Sequence, residues 1–158
     1  MLSEEVKEFI GKGGDARVFE VEKGAIRRFA DAVDDPNPLF RDDEYARNSQ
    51  YGAIIAPPGF FGWPTRLPRG AALAGGSDGG LGAALAKAGY TRLLDGGMEY
   101  EFHVPIRAGD TLVATSKLKD VREREGGSGK MAIVRNETTY YNQNGDLVAT
   151  ATSTSIHR

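Results

Sequence analysis

The chain of 158 residues has no cysteine, two histidines and one tryptophan. Without cysteine, disulfides, thiolate zinc sites and a thiol nucleophile are all excluded. That absence agrees with a reducing compartment, and the cytoplasm is the expected location. The histidines, His103 and His157, are far apart and share no helical or zinc-finger spacing, so no metal site is expected. No run approaches the ~20 apolar residues that a membrane-spanning helix needs. Met1-Leu2-Ser3-Glu4-Glu5 also lacks the basic and apolar regions of a signal peptide. Nor is there an excess of basic charge: 20 Lys+Arg against 22 Asp+Glu leave a formal net charge of -2, which offers no footprint for nucleic acid. A small molecule or another protein is the expected partner.

Nucleotide motifs are incomplete as well. Gly80-Leu81-Gly82 opens like a dinucleotide fingerprint, but Leu85 stands at the third glycine position, and no Gly-Lys-Ser/Thr closes a phosphate loop anywhere. Asp35-Pro36-Asn37-Pro38-Leu39 lacks the turn glycine of a calcium loop.

What is present is an ordinary globular composition, 40% hydrophobic and 27% charged, with a mean hydropathy of -0.40. Arg17 to Val21 alternate at a strand's period, and Ile26, Phe29, Ala30 and Val33 then recur at helical spacing. That helix is expected to stop near Asp34-Asp35, because Pro36 disfavours helical backbone in the residue before it. Asp42 or Asp43 can cap a short helix through Glu44 to Arg47, closed by Tyr51-Gly52. Pro57-Pro58-Gly59 suits the first turn of another helix, kept short or kinked by Pro64 and Pro68. A Gly/Ala-rich insertion spans roughly 66–92, with one modest helix from Leu81 to Ala88.

Beyond Leu93 the pattern turns to strands. Met98, Tyr100 and Phe102 share one face, as do Leu112, Ala114, Ser116 and Leu118, and then Ala132, Val134 and Tyr140, each reading as a half-buried strand. Gly126 to Gly129 and Asn142 to Asp146 mark turns, with Asn144-Gly145 suited to a tight hairpin, and a strand from Leu147 to Ile156 completes an antiparallel meander. Helices early and strands late give an α+β domain in which a helix covers one face of a single sheet.

One local rule is broken. Asp31, Asp34 and Asp35 crowd the C-terminal end of the first main helix, where the macrodipole is negative and each carboxylate costs about 0.3 to 1 kcal/mol. Such breaches tend to sit at functional or strained sites, and the rigid Pro36-Asn37-Pro38 turn follows directly. Asp35 is therefore the candidate to examine.

The run Phe29 to Asp42, centred on Asp35-Pro36-Asn37-Pro38-Leu39-Phe40, resembles the MaoC-like (R)-specific hydratase/dehydratase family, most closely its FAS1-like dehydratase branch. Tyr45-Ala46, Ile54 to Phe60, Glu101 to Leu112 and Asn142 to Val148 extend the resemblance over nearly the whole chain outside the glycine-rich stretch. It implies a hot-dog fold over 1–158, a curved antiparallel sheet wrapped around a central helix, with two such units pairing. It also implies hydration or dehydration of trans-2-enoyl or 3-hydroxyacyl thioesters of CoA or a carrier protein, with no cofactor. Asp35 and Asn37 match the family signature, whose Asp and His hold the reacting water. Phe40 stands where that His should be and can move no proton, and losing a general acid/base costs a factor of ~10² to 10⁴. Gly59 matches a family glycine at the start of the central helix, where its amide would stabilise a thioester oxyanion.

The resemblance implies two arrangements that answer the missing imidazole: a heteromer with a histidine-bearing MaoC-like subunit, which is the favoured reading, and a fused two-domain chain, which a length of 158 residues is expected to exclude. A separate reading is a homodimer active alone, with His103 or a bound water chain in place of the imidazole. Phe40, Pro58, Phe60, Phe61 and Trp63 are candidates to line an acyl tunnel, and Arg66, Arg69 and Arg92 to meet CoA phosphates. The alternatives are a non-catalytic acyl-CoA binding or scaffold protein and, behind it, a thioesterase.

Overall fold

The computed structural model describes residues 3–64, 80–127 and 129–158. Its elements are α1 (Glu4–Lys7), β1 (Arg17–Glu20), α2 (Lys23–Ala32), a 3-10 turn at Pro38–Phe40, α3 (Asp43–Asn48) and β2 (Trp63–Pro64). Then follow α4 (Leu81–Lys87), β3 (Leu93–Phe102), β4 (Thr111–Gly126), β5 (Gly129–Tyr141) and β6 (Leu147–His157). The strands form one antiparallel sheet in the order β2-β1-β4-β5-β6-β3. The architecture is α+β and of the hot-dog kind.

The alternation read from the sequence sets which face is covered. Leu112, Ala114 and Leu118 are buried along β4, and a register shift between Leu118 and Asp120 absorbs one extra residue. Val121 thereby returns to the buried face, which a strict two-residue period would deny it. Ala132 and Val134 on β5 and Ala149 and Ala151 on β6 continue that layer.

Two apolar clusters cover the sheet. In the larger, α2 lays Ala25, Ile26 and Ala30 against Val21, Phe40, Phe60, Phe61, Ile106 and Leu112. Ile26 is fully buried, worth about 1.5 to 3 kcal/mol over an exposed side chain. In the smaller, Val6 of α1 and Leu81, Ala84 and Leu85 of α4 pack on Leu118, Val121, Ala132 and Val134. The helix at α1 has no counterpart in the sequence reading, being a single turn with Val6 as its one buried residue.

Several expectations hold locally. The helix α2 ends at Ala32, ahead of Pro36; Asp42 caps α3 by accepting from the Glu44 and Tyr45 amides, both at 2.9 Å; and α4 lies within the expected Leu81 to Ala88. Three do not. No helix starts at Gly59: residues 57–60 make a turn closed by the Phe60 amide on the Pro57 carbonyl (3.0 Å), and Trp63–Pro64 then pair with β1. Gly62 makes that pairing possible, since a Cβ there would sit 2.5 Å from the Glu20 carbonyl oxygen. The β5–β6 connection is not a two-residue hairpin on Asn144-Gly145. It is a longer loop organised by Asn142, whose Oδ1 accepts from the Asn144 and Asp146 amides at 2.9 and 3.0 Å. Finally, β3, the last strand of the sheet among the described residues, is exposed along its whole length rather than half-buried. Of the Gly/Ala-rich insertion, residues 65–79 lie outside the described residues, with Arg66, Arg69 and Pro68 among them.

Candidate functional site

The turn after α2 is built by its own side chains. The Asp35 amide closes the helix on the Ala30 carbonyl (2.8 Å), and Asp34 takes a left-handed φ of 54°, unusual for a residue other than glycine. Asp35 Oδ1 accepts from the Asn37 amide (3.0 Å), and Asn37 Oδ1 accepts from the Leu39 amide (3.0 Å), capping the 3-10 turn. These are the short side-chain-to-backbone bonds that Asp and Asn supply in turns.

Arg41 resolves the acidic crowding at the helix end. Its Nη2 donates to the Asp35 carbonyl at 2.6 Å, and its Nη1 meets the Asp31 carboxylate at 2.9 Å. One guanidinium thus ties the negative end of α2 to the turn carrying Asp35. The sequence reading missed Arg41, although three carboxylates at a helix C-terminus call for a nearby cation.

A cavity of about 450 Å³ opens beside this turn. Asn37, Phe40, Pro58, Phe102 and His103 all contribute to its wall, together with apolar groups such as Ile55 and Ile106. The structure therefore brings three of the sequence candidates, Asn37, Phe40 and Pro58, to one place. His103 joins them because the chain leaves β3 there: its amide donates to the Val148 carbonyl at 2.9 Å, and Val104-Pro105 turn the backbone across the cavity. The break at Pro105 was the available signal for this, since a proline cannot continue the strand ladder.

The other candidates lie elsewhere. Asp35, Gly59, Phe60, Phe61 and Trp63 are not among the lining residues of this cavity. The Gly59 amide sits in the Pro57–Phe60 turn with φ +90°, without a helix dipole behind it. Phe60 is buried in the core against Phe29 (5.3 Å between centroids) and Trp63 (6.2 Å), while Trp63 itself is 54% exposed. Phe61 stacks on Tyr140 at 4.2 Å and lies parallel to Phe102 at 6.2 Å, so it backs the cavity wall through Phe102. Burial raises the phenol pKa of Tyr140, and of Tyr100 beside it. Phe40 serves both purposes, facing the cavity yet only 5% exposed within the larger cluster. Arg92 pairs through its backbone with Arg158, extending the β3–β6 ladder.

Chemically, the cavity is a mainly apolar slot whose wall also carries the Asn37 amide and the His103 imidazole. It suits a small polar reacting group carried on an apolar chain. Among the described residues no helix is long and apolar enough to cross a membrane.

Comparison with known proteins defines the class. Residues 8–151 match the FAS1-like, dehydratase domain region. The fold is that of the ChsH1-ChsH2 complex from Mycobacterium tuberculosis, one of whose chains superposes with a TM-score of 0.82 at 21% identity, covering 97% of this chain and 88% of that one. The chain belongs to the FAS1-like dehydratase family. A UPF0336 protein of Streptomyces avermitilis is 33% identical over 140 residues, covering 89% of this chain and 85% of its own. A probable enoyl-CoA hydratase alpha subunit of Thermomonospora curvata is 30% identical over 131 residues, covering 79% of this chain and 41% of that protein.

Proposed function

We propose that the protein is a subunit of a hydratase/dehydratase acting on trans-2-enoyl and 3-hydroxyacyl thioesters, working in a heteromer with a histidine-bearing MaoC-like partner. The single observation that carries this is Phe40. It stands where the family resemblance implies an imidazole, it lines the cavity, and it is 5% exposed in the core, so it shapes the slot and moves no proton. Family membership, and the description of the Thermomonospora relative as an alpha subunit, support the same reading. In the proposed division of labour, Asn37, Phe40 and Pro58 hold the acyl end in the slot, with Phe61 backing it. Asp35, held at the turn by Asn37 and Arg41, orients water or the partner's imidazole. The Gly59 amide polarises the thioester carbonyl. Phe60 and Trp63 carry structure near this end of the tunnel. The chain is read as one hot-dog unit over 1–158, acting in the cytoplasm on CoA or carrier-protein thioesters without a cofactor.

The test is a spectrophotometric hydration assay on crotonyl-CoA and longer trans-2-enoyl-CoAs, with the protein alone and together with a histidine-bearing MaoC-like subunit from the same source. Turnover is expected only in the mixture, and falling by about 10² or more in Asp35→Asn if the carboxylate takes part in proton transfer. No hydration of any enoyl-CoA in either arrangement would refute the proposal.

A second reading rests on His103, which shares the cavity with Asn37. If the protein hydrates alone and His103→Ala abolishes that rate, the chain has a complete site with a relocated imidazole. Acyl-CoA binding with no turnover in any pairing would instead leave a binding or scaffold protein.

A further inference from the structure

Two cations stand next in the chain to residues that line the Asn37 cavity: Arg41 beside Phe40, and Arg107 beside Ile106. Arg41 is spent at both ends of its fork, on Asp31 and on the Asp35 carbonyl. Arg107 is not. Its side chain is exposed, and no carboxylate among the described residues pairs with it.

The position of Arg107 is nevertheless well held. It bridges Ile55 in a short antiparallel ladder, flanked by the Ala56 amide on the Ile106 carbonyl (2.8 Å) and the Ala108 amide on the Ile54 carbonyl (2.9 Å). Residues directly opposite in such a pair share a face, so Arg107 stands on the side of Ile55, a wall of the cavity. Asp110 Oδ2 accepts from the Arg107 amide at 2.7 Å, and Asp110 Oδ1 accepts from Gln143 Nε2 at 3.0 Å. With both oxygens engaged, Asp110 anchors the backbone and makes no ion pair with the guanidinium. Arg107 Nε donates to the carbonyl of Tyr51, another cavity wall, at 3.3 Å. That bond orients the guanidinium and leaves its two Nη groups as an unpartnered fork at the rim.

A thioester held in this slot arrives on a carrier. In CoA and in carrier proteins alike, the sulfur ends a pantetheine arm whose far end is a phosphate. The arm keeps that phosphate outside the apolar slot, where an exposed fork can meet it and a lining residue cannot. Guanidinium and phosphate join through two parallel charge-assisted bonds.

We propose that Arg107 is the phosphate anchor of the site, its Nη groups binding the phosphate of a pantetheine thioester. This rests on the thioester reading above and adds the residue that distinguishes a phosphorylated carrier from a bare acyl thioester.

The probes are butyryl-CoA and butyryl-pantetheine, saturated thioesters with no double bond to hydrate, of which only the first carries phosphate. Calorimetry on the complex used in the hydration assay reads their binding without turnover. Arg107→Ala should weaken butyryl-CoA about ten-fold or more and leave butyryl-pantetheine unchanged. Arg107→Lys keeps the charge and the stem, so it reports even if alanine disturbs the loop; losing the fork should still weaken butyryl-CoA about three-fold. Arg28→Ala, at an exposed arginine of α2 that is not a cavity wall, is the charge control and should change neither. A butyryl carrier protein separates the two sources: the same selective loss there, with or instead of the loss for CoA, still puts the phosphate on Arg107 and names its carrier. Equal losses for the CoA and pantetheine thioesters, no loss for either phosphorylated probe, or a matching loss in Arg28→Ala would each overturn the proposal. Selective binding without hydration would overturn only the activity, and hydration without selective binding only the anchor.

Discussion

Arg41→Ala tests the account of the Asp35 turn most directly. The substitution removes two interactions. One is the Nη2 bond to the Asp35 carbonyl at 2.6 Å, which as a charged donor on a neutral acceptor is worth about 1.5 to 3 kcal/mol. The other is the Asp31 pair at 2.9 Å, whose side chains are 36% and 65% exposed, so its net value is only about 0.2 to 1 kcal/mol. The acids at the negative end of α2 also lose their compensating cation, which adds a few tenths. The expected loss is about 2 to 4 kcal/mol, read as a lower urea midpoint at unchanged slope. Arg41→Lys restores the charge but cannot span both acceptors in the same fork, so it should recover about half or less. Salt should weaken only the smaller, ionic part. A loss below about 0.5 kcal/mol, or full recovery by lysine, would refute the claim that a two-point clamp holds this turn.

Other consequences can be checked separately. At Gly62, φ is +83° and a Cβ would lie 2.5 Å from the Glu20 carbonyl oxygen, so Gly62→Ala should destabilise by about 2 kcal/mol or more and detach Trp63–Pro64 from β1, seen as faster amide exchange there. Tyr90 has its phenol pKa pushed up to about 12, first by burial and then by its 2.7 Å bond to Glu123. Between the ordinary phenol value near 10 and about 12, the unfolded chain releases this proton while the folded one keeps it, so the stabilising contribution of Tyr90 should fall across that alkaline window. Glu123→Gln should bring the Tyr90 titration down only in part, because burial, the larger cause, remains; an ultraviolet phenolate titration returning fully to the ordinary value would contradict this.

The candidate site was legible in part, and the division follows the range of the forces involved. Asp35 and Asn37 stand out in the sequence because their roles are local: short side chains beside prolines must bond their own backbone, as both do. Phe40 was evident as a departure, but only packing decides that one ring serves the core and the cavity together. Gly59 was misread as a helix start. Pro-Pro-Gly satisfies the local requirements of a turn and of a helix alike, and the choice went to the turn because Trp63–Pro64 continue onto β1. His103 could not be joined to Asn37 by spacing, since the sheet order that places β3 beside β6 is a long-range result.

Residue order alone, then, determined the α+β class, the alternation of β4 as far as Leu118 and of Ala132 and Val134 on β5, the end of α2 before Pro36 and the Asp42 cap. Each depends on neighbours within a turn or a strand pair. Tertiary structure decided what a window of a few residues cannot contain. It left the faces of β3 uncovered, so that a strand with a buried-looking pattern is exposed; it brought Arg41 onto both Asp31 and the Asp35 carbonyl; and it gathered Asn37, Phe40 and His103 around one cavity. Burial and proximity belong to the whole sheet, because they depend on which strand lies last and which loops cross its end.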